Sequence, residues 1–213
     1  MALIGLISDV HATPEPVAEA LSIFAEAGVT QILCAGDIAG YMEQLDATIQ
    51  LLIGSHCQSV TGNHDRSYID HAGAVPETDA LRFLKQLPRS YETIIEGKKL
   101  FMVHAQPPDG YHGGIKLLDK QGIVQPANLA LWRQKLQPFD YDVLVVGHTH
   151  QVFAEHIGDS FVINPGSSVF NHSCAILSLP EMTVRFFPLS GKTIEKTWNW
   201  GEHMIYRNNS ADR

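Results

Sequence analysis

The stretch that decides the fold is Ala2-Leu3-Ile4-Gly5-Leu6-Ile7-Ser8-Asp9-Val10-His11. Its first six residues form a short, nearly all-apolar run, the pattern of a strand covered on both faces. The run gives way at once to Asp9 and His11, and in open α/β sheets ligands bind at the carboxyl ends of strands. Four further segments place metal-ligand side chains just past apolar runs in the same way. Gly36-Asp37 follows Ile32-Leu33-Cys34, Gly62-Asn63-His64-Asp65 follows Val60-Thr61, His104 follows Phe101-Met102-Val103, and Gly147-His148-Thr149-His150 follows residues 143–146.

Around these segments the first half alternates strand and helix patterns. Thr13 can cap a helix with Pro14 or Pro16 in its first turn; Val17, Leu21, Phe24 and Ala25 recur at helical spacing, and Gly28 ends it. Residues 31–34 form a second apolar run. A helix over about 43–53, a strand around 57–60 and a helix over about 77–87 follow. The second half differs. Residues 91–95 and 100–103, joined by Glu96-Gly97-Lys98, read as a β-hairpin. After a Gly/Pro-rich loop over 107–114, residues 128–136 carry a helical pattern and residues 143–146 read as a buried strand. From Gln151 onward only strands are indicated, with turns at Gly158-Asp159 and Pro180-Glu181. The expected fold is α/β (α+β): two packed mixed β-sheets in a sandwich flanked by helices, the second half largely antiparallel. One domain over 1–213 is expected, with the polar tail from about residue 199 docked loosely.

The chain has 213 residues, 45% hydrophobic and 18% charged, an ordinary composition for a folded protein with one sizeable core. A net charge of −8 argues against long DNA or RNA, whose binding relies on a Lys/Arg stripe. It leaves a nucleotide substrate open, because two bound divalent cations would make the pocket locally positive. The N-terminus lacks the basic region and cleavage site of a signal peptide, and no apolar run approaches the roughly 18–20 residues that span a bilayer. Cys34, Cys57 and Cys174 are sparse and lack CxxC spacing; Cys34 and Cys174 are expected to be buried small hydrophobes. A reduced, cytoplasmic protein is expected, with no membrane partner and with homo-oligomerisation left open.

Taken singly, each of the five segments reads as a helix cap, a turn or a core histidine. Together they supply carboxylate, imidazole and amide groups in the mixture that holds divalent cations. Side chains at i and i+2 of an extended segment share a side, so Asp9 with His11, and His148 with His150, can aim pairs into one cavity. The glycines before Asp37, Asn63 and His148 would let the backbone turn without a Cβ clash. This N/O donor set suits Mn, Fe, Zn, Ni or Co better than Ca or Mg.

The set Asp9-Val10-His11, Gly36-Asp37, Gly62-Asn63-His64-Asp65, His104, Gly147-His148-Thr149-His150 resembles the calcineurin-like metallophosphoesterases, including small bacterial and archaeal phosphodiesterase-like members. Asn164-Pro165-Gly166-Ser167 resembles a further loop of such members. The resemblance implies a pair of packed β-sheets and a dinuclear site of divalent transition metals at the strand ends. Asp9, His11 and His150 would bind one metal, Asn63, His104 and His148 the other, and Asp37 would bridge them. His64 would face the phosphate as the acid for the leaving oxygen rather than act as a ligand. Asp65 would orient His64 or a ligand through a hydrogen bond. The implied reaction is hydrolysis of a small phosphodiester or phosphomonoester by in-line attack of a hydroxide bridging two metals.

The substrate is left open. The protein phosphatases of this superfamily carry an Arg soon after the bridging Asp, whereas Ile38-Ala39-Gly40-Tyr41 follows Asp37 here, a departure also from the diadenosine-tetraphosphate hydrolases. Tyr41, Arg66 and His112 are the candidates for substrate contact, and the 107–114 loop is a candidate lid. Alternatives are a nucleotide-specific phosphodiesterase or nuclease, and a non-catalytic scaffold of the same fold.

Overall fold

The computed structural model describes residues 1–73 and 77–199. Ten strands and five helices follow along those residues: β1 Ala2–Ile7, α1 Pro14–Ala27, β2 Gln31–Cys34, α2 Leu45–Gly54, β3 Gln58–Ser59, α3 Asn63–His71, α4 Asp79–Gln86, β4 Ser90–Ile95, β5 Lys98–Val103, α5 Pro126–Leu136, β6 Val143–Val145, β7 Val152–Ile157, β8 Ser160–Pro165, β9 Ser173–Leu179 and β10 Thr183–Pro188. The tail is outside the described residues from position 200 on.

The strands form two five-stranded mixed sheets, ordered β10-β9-β1-β2-β3 and β4-β5-β6-β8-β7. β1 is the middle strand of the first, parallel to β2 and antiparallel to β9, which explains its apolar run. The second half of the chain is less antiparallel than expected. β5 pairs with β6 in parallel, and so does β6 with β8. β9 and β10 return to extend the first sheet. The four strands β7 to β10 follow one another without an intervening helix and carry no local signal of which sheet they join; the partner is set by packing.

Three apolar cores make four layers. Ile4, Leu6, Leu33, Met102, Val145, Ile163 and Leu177 fill the space between the sheets. The other face of the first sheet packs on α1, α2 and α4 through Ile7, Val17, Phe24, Ile49, Leu52 and Leu84. The outer face of the second packs on α5 through Phe101, Leu144, Val162, Trp132 and Leu136. At about 25 cal/mol per Å² of apolar surface removed from water, this burial is the main term holding the sheets together. Cys34 and Cys174 are buried within the core beneath the helices, as expected.

α1 begins with Pro14 in its first turn and ends at Gly28, whose φ of 73° is the left-handed conformation a helix C-terminus favours. Thr13 occupies the cap position but does not cap with its side chain; its hydroxyl donates to the His11 carbonyl at 3.1 Å. α3 was not expected. Its sequence, Asn63 to His71, has no apolar stripe, and Asp65 is its one fully buried residue, so hydrophobic periodicity cannot reveal it. What starts it is Asp65, whose carboxylate accepts from the Gly62 N–H at 2.8 Å.

Candidate metal centre

β1, β2 and β3 run parallel, and so do β5, β6 and β8 in the other sheet. The five ligand-bearing segments follow the carboxyl ends of β1, β2, β3, β5 and β6, and they meet at one end of the sandwich. The loops interlock through their backbones. Asp9 N–H donates to Gly36 O at 3.0 Å, His11 N–H to Asp37 O at 3.0 Å, and Gly147 N–H to His104 O at 2.7 Å.

The seven candidate ligands converge as two groups. Donor atoms of Asp9, His11 and His150 lie within 4.8 Å of one another, with His150 Nε2 3.3 Å from both Asp9 Oδ1 and His11 Nε2. Asn63 Oδ1 lies 3.0 Å from His104 Nε2 and 2.8 Å from His148 Nδ1. Asp37 touches both groups: its Oδ1 is 3.4 Å from His104 Nε2, and it clusters with His11 and with Asp9.

The reason these side chains converge differs from the one the sequence suggested. Asp9, His11, Asp37, His148 and His150 all have positive φ, between 42° and 66°. The segments are therefore left-handed kinks rather than extended pairs, and non-glycine residues in that region are uncommon and tend to cluster at functional sites. Gly62 and Gly147 also serve differently from expectation. Neither has a positive φ; each leaves room. A Cβ on Gly62 would fall on Asp37 Oδ1, and one on Gly147 would fall on Ser8 Oγ and come within 2.7 Å of Asp9 Oδ2.

The donor chemistry tests whether a cation fits. His104 Nδ1 donates to Ala35 O at 2.7 Å, which leaves Nε2 facing the carboxylate of Asp37 and the amide oxygen of Asn63. All three atoms are lone-pair donors unless a proton or a cation sits among them. His11 Nδ1 lies 3.3 Å from Ala39 O, so its Nε2 in turn meets the Nε2 of His150. Every one of these groups but Asn63 and His148 is buried, and unsatisfied buried polar groups are costly. The electrostatics run the same way. Burial pushes the Asp9 carboxyl up, but His150, His104 and His11 together hold it below the ordinary carboxylate range. Burial also opposes charge on His104, yet Asp37 outweighs it and raises the imidazole to about 9. Burial lowers His11 and His148 to about 4, keeping their nitrogens available as ligands. The arrangement fits one or more divalent cations.

Residues 2–180 match the family model described as the calcineurin-like phosphoesterase superfamily domain. The chain belongs to that superfamily. Its relatives include an uncharacterized protein of Methanocaldococcus jannaschii, 32% identical over 197 residues that cover 78% of this chain and 75% of that one. Among solved structures, a metallophosphoesterase from Sphaerobacter thermophilus superposes with a TM-score of 0.65 at 20% identity, covering 98% of this chain and 94% of that one. An archaeal phosphodiesterase superposes at 0.59 with 21% identity, over 88% and 99% of the two chains. These solved structures are alike in fold.

Within this calcineurin-like site, His64 is half-buried at the start of α3, and its backbone N–H donates to Asp37 Oδ1 at 2.8 Å. Its ring stands 4.5 Å from Tyr41 and 5.1 Å from His11. His64 also clusters with His11 and Asp37 closely enough to compete as a ligand. Asp65 meets backbone rather than a catalytic side chain: it accepts from Ala39 N–H at 2.7 Å and Gly62 N–H at 2.8 Å. It thereby ties the loop after β2 to α3. Burial, with the charge of Asp37, pushes its carboxyl up to about 7.

Of the three candidates for substrate contact, Tyr41 lines the cleft over the site. His112 is exposed, its ring 6.2 Å from that of His148. Arg66 points along α3 and pairs with Asp70 at 3.2 Å. The 107–114 loop is tied down by Arg89, which binds Asp109 at 2.9 Å and stacks over Tyr111.

Sequence reasoning missed the residues that hold the ligand loops. Ser167 Oγ donates to Asp9 O at 2.6 Å, Asn164 Nδ2 to Gly147 O at 3.0 Å, and Asn171 Nδ2 to His150 O at 3.0 Å. The Asn164–Ser167 motif was the available signal; Asn171, four residues on, had none. The cleft, of about 590 Å³, also has a wall of Lys116, Leu118, Asp119, Lys120 and Trp198. No sequence motif marks those residues.

Proposed function

We propose that the chain is a metal-dependent phosphoesterase that holds two divalent cations and hydrolyses a small phosphodiester or phosphomonoester. The observation that carries this reading is the convergence of lone pairs from Asp37, Asn63 and His104, and from His11 and His150, with a shared carboxylate between the two groups. Asp9, His11 and His150 would hold one cation, Asn63, His104 and His148 the other, and Asp37 both. Bound divalent ions would supply an activated water near neutral pH and offset charge on the phosphate.

The protein's own groups do the rest. The α3 N-terminus, through the His64 N–H, fixes the Asp37 carboxylate, and Asp65 fixes the backbone on both sides of it. Ser8 Oγ donates to Asp9 Oδ2 at 2.6 Å and His148 N–H reaches the same carboxylate at 3.1 Å, so its remaining lone pairs face the site. The His64 ring lines the cleft and would give a proton to the leaving oxygen. The phosphodiesterase among the similar structures supports including diesters in the substrate range.

Hydrolysis of p-nitrophenyl phosphate and of bis-p-nitrophenyl phosphate, after supplementation with Mn, Fe, Zn, Ni or Co, tests the reading. We expect at least one ester to be cleaved, activity to vanish on chelation and metal to restore it. Inertness toward both esters with every metal would contradict it.

A further inference from the structure

The cleft is larger than one phosphate needs. About 590 Å³ lies in the range that accommodates a whole small molecule, and the candidate ligands occupy one wall of it. The other wall is built on the segment after the Gly113-Gly114 pair. Gly114 lies so close to the ligand loop that a Cβ there would sit 2.9 Å from His148 Cδ2. Beyond it, Thr149 Oγ1 donates to Ile115 O at 3.1 Å, and Gln151 Oε1 accepts from Leu117 N–H at 2.7 Å and Leu118 N–H at 3.0 Å. Thr149 and Gln151 flank His150, so this segment is fixed directly to the metal-ligand loop.

Ile115 and Leu117 are fully buried, while Lys116 between them is exposed and lines the cleft. Carboxylates engage Lys85, Lys98 and Lys99; among the described residues none engages Lys116. Asp119, on the same wall, is turned to other work. Its carboxylate accepts from Gln121 N–H and Ile123 N–H at 2.9 Å and from Gln125 Nε2 at 2.7 Å, closing its own turn. Trp198 adds a flat apolar surface to the cleft. A rigidly mounted lysine that no carboxylate among the described residues engages, facing a site proposed to take one phosphate, suits a second phosphate, which lysine binds as a point charge.

We propose that Lys116 is a specificity-determining residue that receives a second phosphate of the substrate. The preferred substrates are then organic phosphoesters carrying two phosphate groups. This inference rests on the phosphoesterase reading of the site, and two experiments separate them. Calorimetric titration with inorganic pyrophosphate should show Lys116→Glu and Lys116→Gln weakening affinity by about tenfold or more, and Lys116→Arg retaining it, because a charge-assisted hydrogen bond contributes on the order of one to two decades. Kinetics of the metal-supplemented enzyme should show the Lys116→Glu KM for adenosine 3′,5′-bisphosphate rising by a similar factor, with kcat and the turnover of p-nitrophenyl phosphate unchanged. Equal pyrophosphate affinity in the wild type, Lys116→Glu and Lys116→Gln would overturn the subsite. A wild type that binds pyrophosphate through Lys116 but cleaves no phosphoester would sustain the subsite and sink the phosphoesterase reading.

Discussion

Asp37→Ala should lose bound metal and lower kcat/KM by about 10³-fold or more. Each 1.36 kcal/mol of lost transition-state stabilisation is a factor of ten, and metal charge contributes several kcal/mol. Asp37 is the group shared between the two clusters, at 3.4 Å from His104 and within ligand distance of His11 and Asp9. It also accepts the His64 N–H, so the alanine variant leaves a donor unpaired and should be less stable by about 1–3 kcal/mol. Asp37→Asn separates the effects. It keeps an oxygen for that N–H and removes the charge, so metal should be lost while thermal stability is nearly restored. Elemental analysis, thermal melting and initial rates on the same preparations read all three.

His64→Ala should behave in the opposite way. Its ring is proposed as the acid, so metal content should stay at the wild-type level. Turnover of esters with alkyl leaving groups should fall about 10²- to 10⁴-fold, the usual contribution of a positioned acid. For a p-nitrophenyl ester, whose leaving oxygen needs little protonation, the loss should be much smaller. His64 also lies within ligand distance of Asp37 and His11, which makes the metal count decisive. A variant that lost metal would be a ligand variant, and one that cleaved alkyl esters at the wild-type rate would exclude the acid role.

Much of the fold was legible because β1, β2, β5 and β6 are covered on both faces and therefore read as apolar runs, and because Pro14 and Gly28 bracket α1. The ligand segments were legible for the same reason: each breaks such a run with a charged or imidazole side chain. Which sheet β9 and β10 join was not legible, since strand partners are chosen by packing across the sandwich. α3 was hidden because it buries a carboxylate instead of an apolar stripe. The positive φ values at Asp9, His11, Asp37, His148 and His150 leave no mark in a hydrophobic pattern, although Asp and His take left-handed positions more readily than most non-glycine residues; Ser167, Asn164 and Asn171, from a distant part of the chain, hold the backbone at Asp9, Gly147 and His150. Lys116 was invisible for a different reason. Its proposed role comes from Thr149 and Gln151, which fix the backbone on either side of it, at Ile115, Leu117 and Leu118.

We propose that Asp9, His11, Asn63, His104, His148 and His150 hold two cations with Asp37 shared between them. Elemental analysis of the purified full chain, after separate supplementation with Mn, Zn, Ni, Fe or Co and removal of free metal, tests it most directly. Up to two ions per chain are expected for at least one metal, falling toward zero in Asp37→Ala. Absence of bound metal under every condition would contradict it.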